Sequence, residues 1–203
     1  MNYLRPLPRT DLPRPPDAEP LAGSAHVWWN EVDLTLRGIP TQRFLADELV
    51  PGDRARLCAP RQVLPGLPTD RPVVMGIVNV TPDSFSDGGL ALAPDAALAR
   101  AQAMVAAGAD LLDIGGESTR PGAEEVPEAE EIARTVPVID AIRASGIATP
   151  ISIDTRKAAV AAAALSAGAD MVNDVSAMAY DPGMAAVVAR AGVPVCLMHA
   201  QGT

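Results

Sequence analysis

A chain of 203 residues, 48% of them apolar, can build one packed domain plus an appendage, and with only 3% aromatics its core must rest on Ala, Val, Leu, Ile and Met. Its 16 basic and 25 acidic side chains leave a net charge of −9, which argues against nucleic acid or an anionic membrane as the main partner. No stretch approaches the ~20 apolar residues of a membrane span, the N-terminus lacks an apolar signal region, and Cys58 and Cys196 lack metal-ligand spacing, so the chain reads as a cytoplasmic protein with two reduced thiols.

Eleven of the 20 prolines fall in residues 1–70. The first twenty residues read as extended or mobile. Val32–Leu36 alternates apolar with polar residues and predicts a strand, and Trp28 and Trp29 before it read as local packing. Thr41–Leu49 predicts a short helix closed by Pro51-Gly52. We take residues 1–70 as an N-terminal extension of unknown role.

From Arg71 the pattern changes to apolar strand-like runs alternating with Ala-rich helical runs. The predicted strands are Val73–Val80, Asp110–Ile114, Pro150–Asp154, Met171–Val175 and Pro194–His199. The predicted helices are Pro94–Ala107, Glu128–Ala144, Lys157–Ala167 and Pro182–Ala191, with Pro94 and Pro182 read as first helical residues and Gly108 and Gly192 as stops. Such alternation implies a parallel sheet with right-handed crossovers. A weak internal repeat, AAGADLLDIG at 106–115 and SAGADMVNDV at 166–175, suits a doubly wound sheet or a (β/α)₈ barrel. No glycine-rich nucleotide-binding motif follows any strand, which lowers the weight of the usual open-sheet nucleotide folds.

The predicted strands carry polar residues at their ends: Asn79, Asp113, Asp154, Asn173 and His199. Any one alone could be a cap or a satisfied core group; five on one rim of a parallel sheet read as a binding site. The first strand runs into TPDSFSDGG, a loop rich in hydroxyls and carboxylates. The second runs into GGESTRPGA at 115–123, where Gly115 and Gly116 permit close backbone approach, Ser118 and Thr119 bring hydroxyls, and Arg120 offers a fork suited to phosphate. That loop could equally be an ordered turn with an exposed Arg. A buried Asp154 needs donors, from Arg156, a backbone cap or an aromatic heterocycle with ring N–H and amino groups. Asn173 adds one acceptor and two donors. His199 reads as packing or ligand positioning ahead of proton transfer.

Four segments together, MGIVNVTPDSFSDGG, DIGGESTRPGA, SIDTRKAAVA with MVNDVSA, and VCLMHAQGT, closely resemble dihydropteroate synthase over about residues 72–203. The resemblance implies a (β/α)₈ barrel of folate biosynthesis that condenses (7,8-dihydropterin-6-yl)methyl diphosphate with 4-aminobenzoate, releasing diphosphate. It implies that Asn79 is associated with Mg²⁺ on the leaving diphosphate. Thr119 is then a substrate contact, Arg120 lies at the phosphate end, and Asp154 and Asn173 bind the pterin ring with Asp113 in support. A homodimer is implied for the full-length enzyme. Residues 71–203 fall short of the ~250 residues of such a barrel. Only about the first five βα units are therefore expected, as in a fragment, and the isolated chain is expected to be inactive. Two rival readings are a methyltetrahydrofolate-binding methyltransferase barrel, which would not require the diphosphate-handling loops, and a non-catalytic pterin-binding paralogue.

Overall fold

The computed structural model describes residues 3–60, 64, 66–68, 71–81, 89–118 and 124–199. The chain divides into two units, Met1–Val63 with Pro68–Pro72, and Leu64–Leu67 with Val73–Thr203.

In the first unit the described elements are β1 (Tyr3–Pro6), β2 (Glu19–Pro20), β3 (Trp28–Trp29), β4 (Glu31–Leu36), β5 (Ile39–Leu45), a 3₁₀ turn at Ala46–Glu48 and α1 (Pro51–Cys58). Strands β1, β4 and β5 form an antiparallel sheet, and β2 pairs with β3. Trp29, Val32 and Ala46 make a small core. Asp33, on the opposite face of β4 from Val32, is buried beneath Arg43 (2.9 Å) and Arg5 (2.7 Å), whose charged hydrogen bonds hold its carboxyl below the usual range. Both tryptophans are buried and donate their ring N–H to the Asp11 and Pro20 carbonyls, as local packing requires. The first twenty residues, read as extended or mobile, contain two short extended strands, each paired with a later one. One sequence expectation is corrected: Thr41–Leu45 is strand rather than helix, because Thr41, Phe44 and Leu45 pair across the hairpin. The helix starts at Pro51 instead of ending before it, as suits a proline at the first helical position.

The second unit alternates β6 (Met75–Asn79), α2 (Gly89–Ala106), β7 (Leu111–Gly115), α3 (Glu128–Ala144), β8 (Ile151–Asp154), α4 (Ala158–Ser166), β9 (Met171–Asp174), α5 (Met184–Ala191) and β10 (Val195–Leu197). The five strands are parallel and neighbour one another in chain order. Period-2 alternation sorts their side chains. Val78, Leu112, Ile114, Ile151, Ile153 and Val172 face the helices and form the core with Ala97, Ala101, Val138, Ile139, Ile142, Val160, Ala161 and Ala164. Alanine at the contacts lets α2 pack closely on β6 and α4 on β8 without aromatic bulk. The opposite face carries Met75, Ile77, Asn79, Leu111, Asp113, Ser152, Asp154 and Asn173, the residues that pair across from one another on that side.

Helix starts are corrected in two places. Pro94 lies inside α2, which begins at Gly89, and Pro182 precedes the Gly183 cap of α5. The helix stop at Gly192 holds: its φ of 66° is a left-handed conformation that glycine adopts without a Cβ penalty. Among the described residues no helix is long and apolar enough to cross a membrane, and Cys58 and Cys196 are free.

Candidate pterin site at the strand ends

The register places Asn79, Gly115, Asp154, Asn173 and Cys196 in one row at the C-terminal ends of the five parallel strands. This row differs from the sequence expectation in two members. Asp113 lies one inward-facing step below, opposite Ile77 and Ser152. His199 lies beyond the end of β10, exposed, and β10 closes at Leu197. The extra step arises because β7 ends in Gly115 rather than in the aspartate. Thr119 and Arg120 lie outside the described residues, as do Asp83, Ser84, Ser86 and Asp87 of the preceding loop.

Gly115 is the floor of the row. A Cβ there would stand 3.5 Å from Asn79 Oδ1 and 3.5 Å from Asp154 Oδ2, so its absence keeps open the space between an amide oxygen and a carboxylate. On one side, exposed Asn79 ends β6. On the other, Asp154 is partly buried, and its Oδ1 has no hydrogen-bond partner. Burial first, then the fields of Asp113, Glu131, Asp174 and Glu117, push the Asp154 carboxyl up to about 7. A buried acceptor without a donor is an incomplete hydrogen-bond arrangement that a ligand bearing N–H groups would complete.

Below it, buried Asp113 accepts hydrogen bonds from Ser152 Oγ (2.5 Å) and Asn173 Nδ2 (3.2 Å). Burial raises its pKa and these two bonds partly offset the rise. The second bond fixes the amide of Asn173, leaving Oδ1 as the end turned away from Asp113. Asp113 is thus a support for Asn173, and Ser152, unremarked in the sequence, is the support for Asp113. Asp174, adjacent in sequence to Asn173, faces the helices and does other work. Its carboxylate caps the following turn through the amides of Ser176 (2.8 Å) and Met178 (2.9 Å).

Beside the row lies a charged cluster that sequence reasoning left unassembled. Arg156, one candidate partner for Asp154, instead pairs with Glu117 (2.8 Å). Lys157, 2% exposed, bonds Glu117, Glu131 Oε2 (2.7 Å) and the Val126 carbonyl (2.6 Å). Gly116 packs directly on α3: a Cβ there would meet Thr135 Cγ2 at 2.8 Å. The signal available in the sequence was the run Glu117, Arg156, Lys157, oppositely charged groups at the ends of adjacent strands.

Residues 75–203 match the family model described as pterin binding enzyme. The chain belongs to the pterin-binding enzyme family. Over 132 residues it is 53% identical to the dihydropteroate synthase of Synechocystis sp., covering 65% of this chain and 45% of that protein. With the dihydropteroate synthase of Bacillus subtilis the identity is 53%, over 64% of this chain and 45% of the relative. Among solved structures, Xanthomonas albilineans dihydropteroate synthase with 4-aminobenzoic acid superposes with a TM-score of 0.63 at 55% identity, over 68% of this chain and 50% of that one. The Yersinia pestis enzyme in a sulfonamide drug complex gives 0.62 at 53%, over 70% and 52%. The chain therefore spans about half the length of these relatives.

Proposed function

We propose that this chain carries the pterin half of a dihydropteroate synthase site, in which 4-aminobenzoate displaces diphosphate from (7,8-dihydropterin-6-yl)methyl diphosphate. The observation that carries this reading is the unpartnered Asp154 Oδ1 beside Asn173, across the gap above Gly115 from Asn79. A pterin offers an adjacent ring N–H and exocyclic amino group, a donor pair matched to one carboxylate. Asn173, held by Asp113, presents an amide oxygen to a further donor. The five strands are read as the first five of a (β/α)₈ barrel, and residues 1–70 as a separate extension. The full-length protein is taken as a cytoplasmic homodimer.

In this reading the amine nitrogen attacks the pterin methylene carbon, the bond from that carbon to the diphosphate oxygen breaks, and the amine loses a proton. Asp154 and Asn173 hold the ring so that the methylene faces the amine. Thr119 and Arg120, by resemblance, contact the substrates near the diphosphate. Among the described residues no three His, Cys, Asp or Glu gather as a metal site. Asn79 supplies one neutral amide oxygen, which fits an ion already ligated by diphosphate and water rather than one chelated by protein. Mg²⁺ bound that way supplies charge neutralisation of the leaving group. His199, exposed beyond β10, is proposed to contact substrate.

Two measurements test this. Calorimetric titration of the protein with the dihydropterin diphosphate is expected to show one site, and absence of binding would remove the reading. In a dihydropteroate-forming assay of the native-length protein, Asn79→Ala is expected to raise the Mg²⁺ concentration needed for half-maximal rate by about tenfold, the effect of losing one weak oxygen ligand of ~1.4 kcal/mol. An unchanged Mg²⁺ requirement would take Asn79 out of the metal's surroundings.

A further inference from the structure

Lys157 is a buried ammonium with three hydrogen-bond partners, and the proposed pterin site does not use it. Its ammonium, at the start of α4, bonds Glu117 just after β7, the Val126 carbonyl just before α3, and Glu131 in the first turns of α3. Glu117 and Val126 are the two ends of the connection Ser118–Glu125. Both ends are therefore pinned to one nitrogen atom. Neighbouring bonds repeat the pattern. Arg134 donates to the Gly116 carbonyl (2.8 Å), and Arg156 pairs with Glu117. Arg156 also stacks 4.1 Å over the Tyr180 ring, whose hydroxyl donates to Glu125. The entry is held by Lys157, Arg156 and Arg134, and the exit by Lys157 and Tyr180.

A buried ion cluster of this kind is a poor device for stability alone, because desolvating three charges offsets most of their attraction. It is well suited to fixing geometry, since each charge has one low-energy arrangement. We infer that Lys157 is a positioning residue that fixes Glu117 and Val126, the residues flanking the Ser118–Glu125 connection, at the C-terminal end of β8. The inference rests on the proposed dihydropteroate synthase reading, in which that connection serves the diphosphate and the second substrate while Asp154 serves the pterin.

The test is Lys157→Met in the native-length protein, read three ways. Pterin affinity by calorimetry is expected to stay within about threefold, because Asp154 and Asn173 are untouched. The KM for 4-aminobenzoate is expected to rise, or kcat to fall, by about ten- to a hundredfold, the scale of an ångström-sized misplacement. Amide hydrogen exchange is expected to accelerate in Ser118–Val126 and not in β8 or β9. Should Lys157→Met fail to fold, Lys157→Arg carries the test. It keeps the charge and the ion pairs but cannot put three bonds on one atom, so the same local exchange should appear in weaker form. Unchanged exchange in Ser118–Val126, exchange raised throughout the unit, or a pterin affinity lost in parallel with the second substrate would each overturn the inference. Failure of the parent protein to bind pterin would instead overturn the proposed function, so the two failures are distinguishable.

Discussion

Replacing Asp154 by Asn is expected to make the unliganded protein more stable at pH 8 while abolishing most of its affinity for the pterin. The carboxyl is raised to about 7, from an ordinary 3.8, by burial and by the surrounding Asp113, Glu131, Asp174 and Glu117. A raised carboxyl means the folded state binds the proton more tightly than the unfolded one, so stability falls as pH rises. The penalty is absent below about pH 4, grows between 4 and 7, and is complete above 7. With allowance for the partial exposure of the group it amounts to roughly 2 kcal/mol, which corresponds to about 4–8 °C in Tm for a chain of this size. Asn carries no charge at any pH and escapes the penalty. Calorimetric melts should therefore coincide at pH 4 and separate at pH 8, with Asp154→Asn the higher. Binding runs the other way. The donor pair of the pterin needs the ionised carboxylate, so parental affinity should improve about tenfold per pH unit from 5 to 7 and level off above. Asp154→Asn should lose on the order of a hundredfold at pH 8, the cost of facing donors with a donor, and should show no such pH slope. Asp113 is also raised and sits in the same network, which is why the loss of slope in the variant, rather than the slope alone, assigns the titration. A lower melting temperature for Asp154→Asn at pH 8, or a flat parental profile, would contradict the assignment.

Much of this site is legible in the sequence because parallel strands buried on one face carry a simple code. In ISID, Ile151 and Ile153 must face the helices, so Ser152 and Asp154 face away, and the same parity puts Asn173 beside Asp154. The alternation of strand and helix, the extent of α3 and the glycine stop of α5 follow from the same local rules. Register is less legible. The sequence does not say that Gly115 rather than Asp113 stands level with Asp154, because a glycine carries no hydrophobic signal and its role is the space it leaves. The Lys157 cluster joins residues from three separate segments, and pairings of that range depend on how α3 packs, not on any local pattern. In the first unit, Thr41–Leu45 misled for a different reason: the short segment could alternate either way, and pairing with β4 decided it.

A polypeptide of these 203 residues alone is expected to self-associate and to form no dihydropteroate. Among the described residues the sheet order leaves β6 and β10 at its edges, each with one strand neighbour. Edge strands present unpaired backbone donors and acceptors to other chains unless something blunts them. Here the edges are apolar. Val74 is 54% exposed, Met75 40% and Ile77 52% on one side, and Leu197 is 51% exposed on the other. Ile77 and Met75 also share the face that carries Asp113 and Asp154, so the apolar surface extends from the edge into the site. In the proposed barrel this face turns inward and the edges are closed by further strands. Without them a pterin at Asp154 would lack the protein wall those strands supply, and with it the enclosure that gives the charges of the transition state strong interactions. Sedimentation velocity from about 1 to 100 µM, the range in which exposed strand edges drive association, should show species larger than a monomer that grow with concentration. Met75→Lys with Leu197→Lys, charges placed on each edge, should shift the distribution toward monomer without restoring turnover. A monodisperse monomer of the parent chain across that range, with a cooperative melt and synthase activity, would mean that the five-stranded unit is sufficient as it stands and that the barrel reading of its inner face is wrong.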